Sequence, residues 1–466
     1  MNGSASPRPF GLRDKLGYLF GDFGNDFTFI FASSFLMVFY TKVLGISGQT
    51  VGILFLAARF IDAVTDITMG RIVDTVKPAK DGRFRPWIRR MAGPVALASF
   101  LMYQSGMAGA SMPLKILYMY ITYILWGSVF YTSINIPYGS MASVISSEPA
   151  HRASLSTFRS VGASLASMVI GVGGPLLVYS RDSQGNQIVE GGRFTVIAGV
   201  FSLLAILCYA LCYFMTAERV HIQPQKTENK PGFNGIVQAL LSNRALLAII
   251  GAAIMLLLAQ LMLSQMNNYL FMDYFKNTAA LSVVNMLSTA LTLALSPFVV
   301  LLTGRFGKKE TGVLATAVAG AAFLALYLLR VTNPVAYILL ASLGYLGLAY
   351  FNLIIWANIT DVIDYQEVRT HNRDDGTVYA VYSFARKVGQ ALAGGLGGFA
   401  LTAIGYDELA YAQTETVNNA IYSIATLVPA AGLLLVAVIL LFAYPLSKKA
   451  VEANTAELRR RHSEEL

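Results

Sequence analysis

Apolar stretches of about twenty residues recur twelve times along this 466-residue chain, each long enough for an α-helix to cross a hydrocarbon core roughly 30 Å thick. No other feature restricts the fold as severely, because a bilayer offers no water to satisfy backbone N–H and C=O groups and helices satisfy their own. The residue usage agrees: 55% hydrophobic and 13% charged, against about 25% charged in a soluble domain. The expected spans are 17–43, 46–73, 91–109, 114–145, 158–179 and 194–215, then 245–275, 280–302, 312–330, 334–360, 378–405 and 418–444. An all-α membrane protein follows.

The first span comes after Arg8, Arg13 and Lys15, as a secretory signal would, but its apolar run is too long and lacks an obvious cleavage site. It reads as a membrane helix, and the lack of a cleavable segment fits a bacterial inner membrane. With both termini cytoplasmic, the inner segments collect Lys77, Lys80, Arg83, Arg85, Arg89, Arg90, Arg305, Lys308, Lys309, Lys448, Lys449 and Arg459 to Arg461, whereas the outer loops carry only scattered bases. That is the positive-inside pattern. It accounts for the net charge of +9 through topology and anionic headgroups, so no nucleic-acid partner is inferred.

Residues 216–244 are polar, contain Pro224 and Pro231, and separate six spans from six more. They read as a cytoplasmic linker between an N-terminal bundle, 1–215, and a C-terminal bundle, 245–444, followed by a cytoplasmic tail, 445–466. An internal echo supports the division: GRIVDTVKPAKDGRFRPW follows the second span and TGRFGKKE follows the eighth, its counterpart in the other half. Parallel six-helix repeats are a transporter architecture.

An enzyme is not expected. No H-E-x-x-H, Walker A loop, G-x-S-x-G elbow or dinucleotide fingerprint occurs in its proper context. The glycines of LAGGLGGFAL fall inside a span and read as close-packing positions rather than a phosphate loop. Cys208 and Cys212 lie four apart on one span and suit neither a disulfide framework nor a zinc site.

Against this apolar background AARFIDAVTDITMG, residues 57–70, is anomalous. On a helix Arg59, Asp62 and Asp66 stand at i, i+3 and i+7, within one narrow stripe. Each costs about 2.5 to 3.5 kcal/mol near the bilayer centre, so the stripe is expected to face the interior of the bundle. Arg59 paired with one aspartate would make an intramembrane staple. The second carboxylate, one turn away, then remains to hold a small hard cation or an exchangeable proton. Thr65 and Thr132 offer further oxygens, although a lone hydroxyl commonly bonds back to its own helix. Asp26, Asn135, Arg159 and Lys387 are further polar groups in apolar spans and are read as lining the same cavity. For Arg159 a snorkelling role near a span end stays open, for Asn135 an interhelical hydrogen bond. Trp356 reads equally as a platform for a sugar face or an interfacial anchor.

These residues carry a family resemblance. RFIDAVTDITMGRIVDTVKPAKDGRFRPW, GDFGNDF, INIPYGSM and DVIDYQEVRTHNRDDGTVYAVYSFARKVGQAL resemble the glycoside–pentoside–hexuronide:cation symporters of the major facilitator superfamily, the melibiose permease-like family, over nearly the whole chain. The resemblance implies twelve helices in two six-helix bundles and cation-coupled sugar symport by alternating access. Asp62, Asp66, Thr65 and Thr132 would then hold Na⁺, Li⁺ or H⁺, with Asp26, Asn135, Arg159, Trp356, Lys387 and Arg59 at or beside the sugar. No cofactor beyond the co-transported ion is implied, and the working unit would be a monomer in the lipid bilayer. The pattern departs at Asn135, Gly139 and Asn25, where the melibiose permease has aspartate, tryptophan and lysine. Losing a carboxylate at Asn135 while keeping Arg159 and Lys387 would ease binding of an acidic sugar; a different neutral glycoside or pentoside would fit the same change. Cation and sugar would each raise affinity for the other. Asp361, Asp364, Glu367, Arg369, Arg373, Asp374 and Asp375 are placed near the basic loop 77–90 as a cytoplasmic gate, or as a merely solvated loop. A cation-coupled lysolipid carrier and a non-transporting sugar sensor of the same fold remain as rivals.

Overall fold

The computed structural model describes residues 8–181, 187–220, 243–370, 375–410 and 412–464. The chain divides into two compact units, one comprising residues 1–226 with 406–412, the other 227–405 with 413–466. Of the linker expected over 216–244, residues 221–242 lie outside the described residues, as do Arg373 and Asp374.

In the first unit, α1 is Leu12–Val38, prolonged by a π turn Phe39–Val43; α2 is Gly48–Thr75 and α3 Arg85–Leu101. One continuous rod follows, made of α4 Met112–Ile124, a π turn Leu125–Tyr131 and α5 Thr132–Ile145. Then come α6 Pro149–Val178 and α7 Gly191–Met215, joined by a two-stranded antiparallel ribbon that pairs Tyr179 with Val189 and Arg181 with Gln187. Helix α1 packs against α6 and α7. Gly162 makes the close approach possible, since a Cβ there would strike the carbonyl of Leu19.

In the second unit, α8 is Arg244–Tyr269 with a π turn Leu270–Tyr274, α9 is Thr278–Phe306 and α10 is Lys308–Leu329. Helix α11 runs Pro334–Thr370, α12 Asp375–Ala403, and α13 Glu415–Val438 ends in a π turn, Ile439–Ala443. The tail beyond is a further helix, α14, Lys448–Glu464. Among the described residues nine helices are long and apolar enough to cross a membrane. At the three remaining expected spans stand α2 and α12, which carry interior charges, and α3, of 17 residues.

Several boundaries differ from those expected. The third span ends at Leu101 rather than 109, because Gly106 and Gly109 in QSGMAG disfavour a continued helix and the segment closes instead as a short 3₁₀ turn, Ser105–Gly109. Helix α6 starts at Pro149, a residue suited to a first helical turn, well before the apolar run begins. Arg159 therefore lies ten residues inside the helix and not at its mouth. Likewise α11 continues through polar residues to Thr370, so Trp356 sits fourteen residues from the helix end.

The polar segment after α7 closes the first unit. Glu218 accepts backbone N–H bonds from Arg83 at 2.7 Å and from Phe84 and Arg85 at 2.8 Å, at the start of α3. Gly82 has φ +121, and a Cβ there would collide with the same carboxylate. Next to it, Arg219 bonds Asp14 at 2.9 Å and the carbonyls of Arg8 and Ile145. Glu218→Ala is expected to lower stability by on the order of 3 kcal/mol, since charge-assisted bonds to three backbone donors are lost together. Thermal unfolding in detergent would register it, with Glu218→Gln intermediate.

The second half solves its echo of this loop differently. Lys308, from TGRFGKKE, contacts Asp361 at 2.7 Å within the second unit and also bonds the carbonyl of Ala357. Asp361, assigned on sequence to a gate with loop 77–90, thus has a partner in its own bundle.

Candidate functional site

The anomalous stripe on α2 meets two hydroxyls presented by the neighbouring rod. Ser128 donates to Asp62 Oδ1 at 2.5 Å, and Thr132 donates to Asp66 Oδ1 at 3.0 Å. Both acids and both hydroxyls are spaced four apart, so the contacts form two rungs between helices running in the same direction. Ser128 lies within the π turn Leu125–Tyr131 and Thr132 directly follows it. The wider turn shows in the second bond of Thr132, to the carbonyl of Gly127 five residues back at 3.2 Å. Such π bulges inside α-helices recur at functional sites.

Arg59 Nη1 stands 3.3 Å from Asp62 Oδ2. The staple therefore engages Asp62, and Asp66 takes part in the Thr132 rung. Thr65 spends its proton on its own helix, bonding the carbonyls of Ile61 and Asp62 at 3.1 and 3.2 Å. Its oxygen lone pairs are unaffected by that donation. Two carboxylates and two hydroxyls, all oxygen, suit a hard monovalent cation or a shared proton and do not suit a soft metal. Among the described residues no group of three or more His, Cys, Asp or Glu is placed to hold a metal ion.

A second polar cluster lines α1. Asp22, Asn25 and Asp26 fall at i, i+3 and i+4, on one face. Arg159 Nε donates to Asp22 Oδ1 at 2.9 Å, and the guanidinium lies 5.4 Å from the ring centre of Tyr138. Tyr138 is itself fixed, donating to the carbonyl of Tyr18 at 2.6 Å and stacking on its ring at 4.7 Å. Asp26, one turn further, lies within electrostatic reach of both Asp22 and Arg159. Gly139 keeps the space beside Arg159 open: a Cβ there would stand 3.9 Å from Nη1. Asn135 accepts from Asn25 at 3.4 Å, and Asn25 in turn accepts from Tyr209 at 2.9 Å. Asn135 thus makes the interhelical bond that was one of its two readings.

In the second unit, Trp356 is 42% exposed. It meets Tyr382 edge to face at 5.0 Å, and the Arg386 guanidinium lies 5.3 Å from its ring centre. Lys387 is half-buried on α12, one residue on from Arg386.

The structure adds three residues to those expected. Asp22 was legible as a charge in an apolar span, next to the Asp26 that was singled out. Arg386 adjoins Lys387 in the same motif. Ser128 carried no signal, because serine in an apolar helix is ordinarily bonded to its own backbone.

Long apolar helices in two units, with carboxylates, hydroxyls and guanidinium groups paired inside, mark a multi-pass membrane protein, and its relatives make it a transporter rather than an enzyme. Comparison with known proteins agrees: the model of the MFS/sugar transport protein family matches residues 17–448, and the chain belongs to that family. It is 31% identical over 439 residues to the uncharacterized symporter YjmB of Bacillus subtilis (strain 168), covering 94% of this chain and 93% of that one. It is 30% identical over 453 residues to the glucuronide carrier protein homolog of Escherichia coli (strain K12), covering 96% of each. Among solved structures, the nucleoside transporter NupG superposes with a TM-score of 0.63 at 12% identity, over 93% of this chain and all of that one. That likeness is one of fold.

Proposed function

We propose that this protein is a secondary symporter that couples a monovalent cation, Na⁺ or H⁺, to entry of a neutral glycoside or pentoside by alternating access. The two rungs Asp62–Ser128 and Asp66–Thr132 carry the reading. Arg59 compensates one of the two carboxylates; a bound cation neutralises the charge that is left over and ties α2 to the rod of α4 and α5. Since coupling between sites is reciprocal, sugar and cation each tighten the other. Asp26, Asn135, Arg159 and Arg59, with Trp356 and Lys387, are proposed to contact or border the sugar.

The Arg159 cluster, taken by itself, supports a neutral substrate. Two carboxylates, Asp22 and Asp26, face one guanidinium, Arg159, so this cluster has no surplus positive charge to hold an acid. A hexuronide is the second reading, favoured by the name of the Escherichia coli relative, a glucuronide carrier protein homolog. The proposed setting is the bacterial inner membrane with both termini cytoplasmic, the bundles of residues 1–215 and 245–444 rocking about the linker, and a monomer as the working unit.

Uptake by reconstituted vesicles of labelled neutral glycosides, pentosides and glucuronides, with Na⁺, Li⁺ or pH gradients imposed in turn, tests this directly. Gradient-driven accumulation of a neutral member is expected. Accumulation of glucuronides alone would select the second reading, and no sugar uptake under any gradient would overturn both.

A further inference from the structure

Each unit finishes its sixth span in the same way, and neither the ion site nor the Arg159 cluster uses the result. In the first unit Arg13, the second residue of α1, donates to the carbonyl of Phe214 at 3.2 Å, and Arg85 at the start of α3 donates to that of Tyr213 at 2.7 Å. In the second, Arg244, the first residue of α8, donates to the carbonyls of Phe442 and Ala443 at 3.0 and 3.2 Å. Lys309, near the start of α10, donates to that of Tyr444 at 2.6 Å. The first and third helices of each half thus send one base each to the last carbonyls of the sixth.

A cation at a helix C-terminus is favourable, but here the bases outweigh what the helix end can neutralise, about half a negative charge. In the first unit Asp14 is taken by Arg8 and Arg219, and Asp81 by Arg89. Arg13 and Arg85 therefore leave a surplus of about 1.5 positive charges. In the second unit, with Glu310 set against Lys309, Arg244 still leaves about half a charge. Both arginines are exposed. Arg13 commits one N–H to the backbone and Arg244 two, so each guanidinium keeps donors to spare.

Depth and neighbours say what those donors meet. Arg13, Phe214, Arg244 and Phe442 are each the first, second or penultimate residue of a membrane span, which is headgroup level. Phe214 is 68% exposed and Phe442 71%. We infer that these are two binding sites for an anionic glycerophospholipid, its phosphate on Arg13 or Arg244 and an acyl chain against Phe214 or Phe442. A guanidinium grips a phosphate through two parallel N–H bonds, and anionic lipids are attracted to bases at the cytoplasmic surface, where the proposed topology puts these ends. A zwitterionic lipid brings its own ammonium, which the surplus charge repels, and a free phosphate makes no use of the phenyl ring. The assignment depends on neither the sugar nor the coupling ion.

Native mass spectrometry of the full-length protein, exchanged in detergent into phosphatidylglycerol or phosphatidylcholine of the same acyl chains, provides the test. The parent is expected to retain phosphatidylglycerol at both sites, the first unit's site filling at the lower lipid concentration, and to retain phosphatidylcholine far less. Arg13→Gln is expected to weaken the first site about tenfold, the scale of losing one hydrogen bond to a charged group, and Arg13→Gln/Arg244→Gln to empty both. Arg13→Lys keeps the charge and a donor for the Phe214 carbonyl but not the planar fork, so it should fall between; it serves alone if the glutamine variant does not elute as a folded species on gel filtration. Equal retention of the two lipids would mean a general lipid annulus and overturn the inference. So would a double variant that holds phosphatidylglycerol as the parent does, or displacement of the lipid by inorganic phosphate, which would make these free-anion sites.

Discussion

Asp66→Asn is expected to abolish gradient-driven sugar accumulation, a loss of up to about 100-fold, near the upper end of the usual coupling between two sites. Energy-independent exchange of sugar across the same vesicles should persist. The substitution keeps the shape of the side chain and its bond from Thr132 while removing the charge that a cation would neutralise. Asp62→Asn should be equally severe for accumulation and should also release Arg59 from its partner at 3.3 Å. Ser128→Ala removes one of the oxygens that this site would offer a cation and is expected to raise the cation concentration for half-maximal uptake about tenfold, the scale of one polar contact to a charge. A finding that Asp66→Asn accumulates sugar normally under every gradient would remove these carboxylates from the coupling step.

The parts of the site legible in the sequence were those that violate the chemistry of an apolar span. Arg59, Asp62 and Asp66 stood out because each charge is expensive there, and the structure sets all three in pairs or rungs. Arg159 stood out for the same reason, but its partner did not. Asp22 lies 137 residues away, and nothing in local spacing reports a contact between α1 and α6. Uncharged groups were least legible: Ser128 looks like an ordinary helix residue until α2 is set beside the rod of α4 and α5. The twelve expected spans all carry helices. Their ends were misplaced where polar residues continue a helix beyond its apolar part, as in α6 before Arg159 and α11 after Trp356. Hydropathy marks the hydrocarbon slab, whereas the helix ends where caps and helix-breaking residues put it.

The Asp22–Arg159 pair yields the other large effect. Removing either partner alone leaves a charge without compensation in a low-dielectric interior, which costs about 3 to 5 kcal/mol when both groups are fully buried. The guanidinium is 41% exposed and the carboxylate side chain 10%, so solvent screens part of this and about 2 kcal/mol is the better expectation. Arg159→Ala also leaves Asp22 and Asp26 to repel each other across one turn. Stability should therefore fall by about 2 kcal/mol in either single variant, and the half-saturating sugar concentration should rise in both, more in Arg159→Ala. Asp22→Ala/Arg159→Ala should recover part of the loss, since contacting residues couple and distant ones add. Strict additivity in that cycle would mean that Asp22 does not position Arg159. Arg159→Lys discriminates further: a lysine keeps the charge but lacks the planar fork that donates to Asp22 while lying against Tyr138. It should restore stability toward the parent without restoring sugar affinity, whereas a purely structural ion pair would restore both.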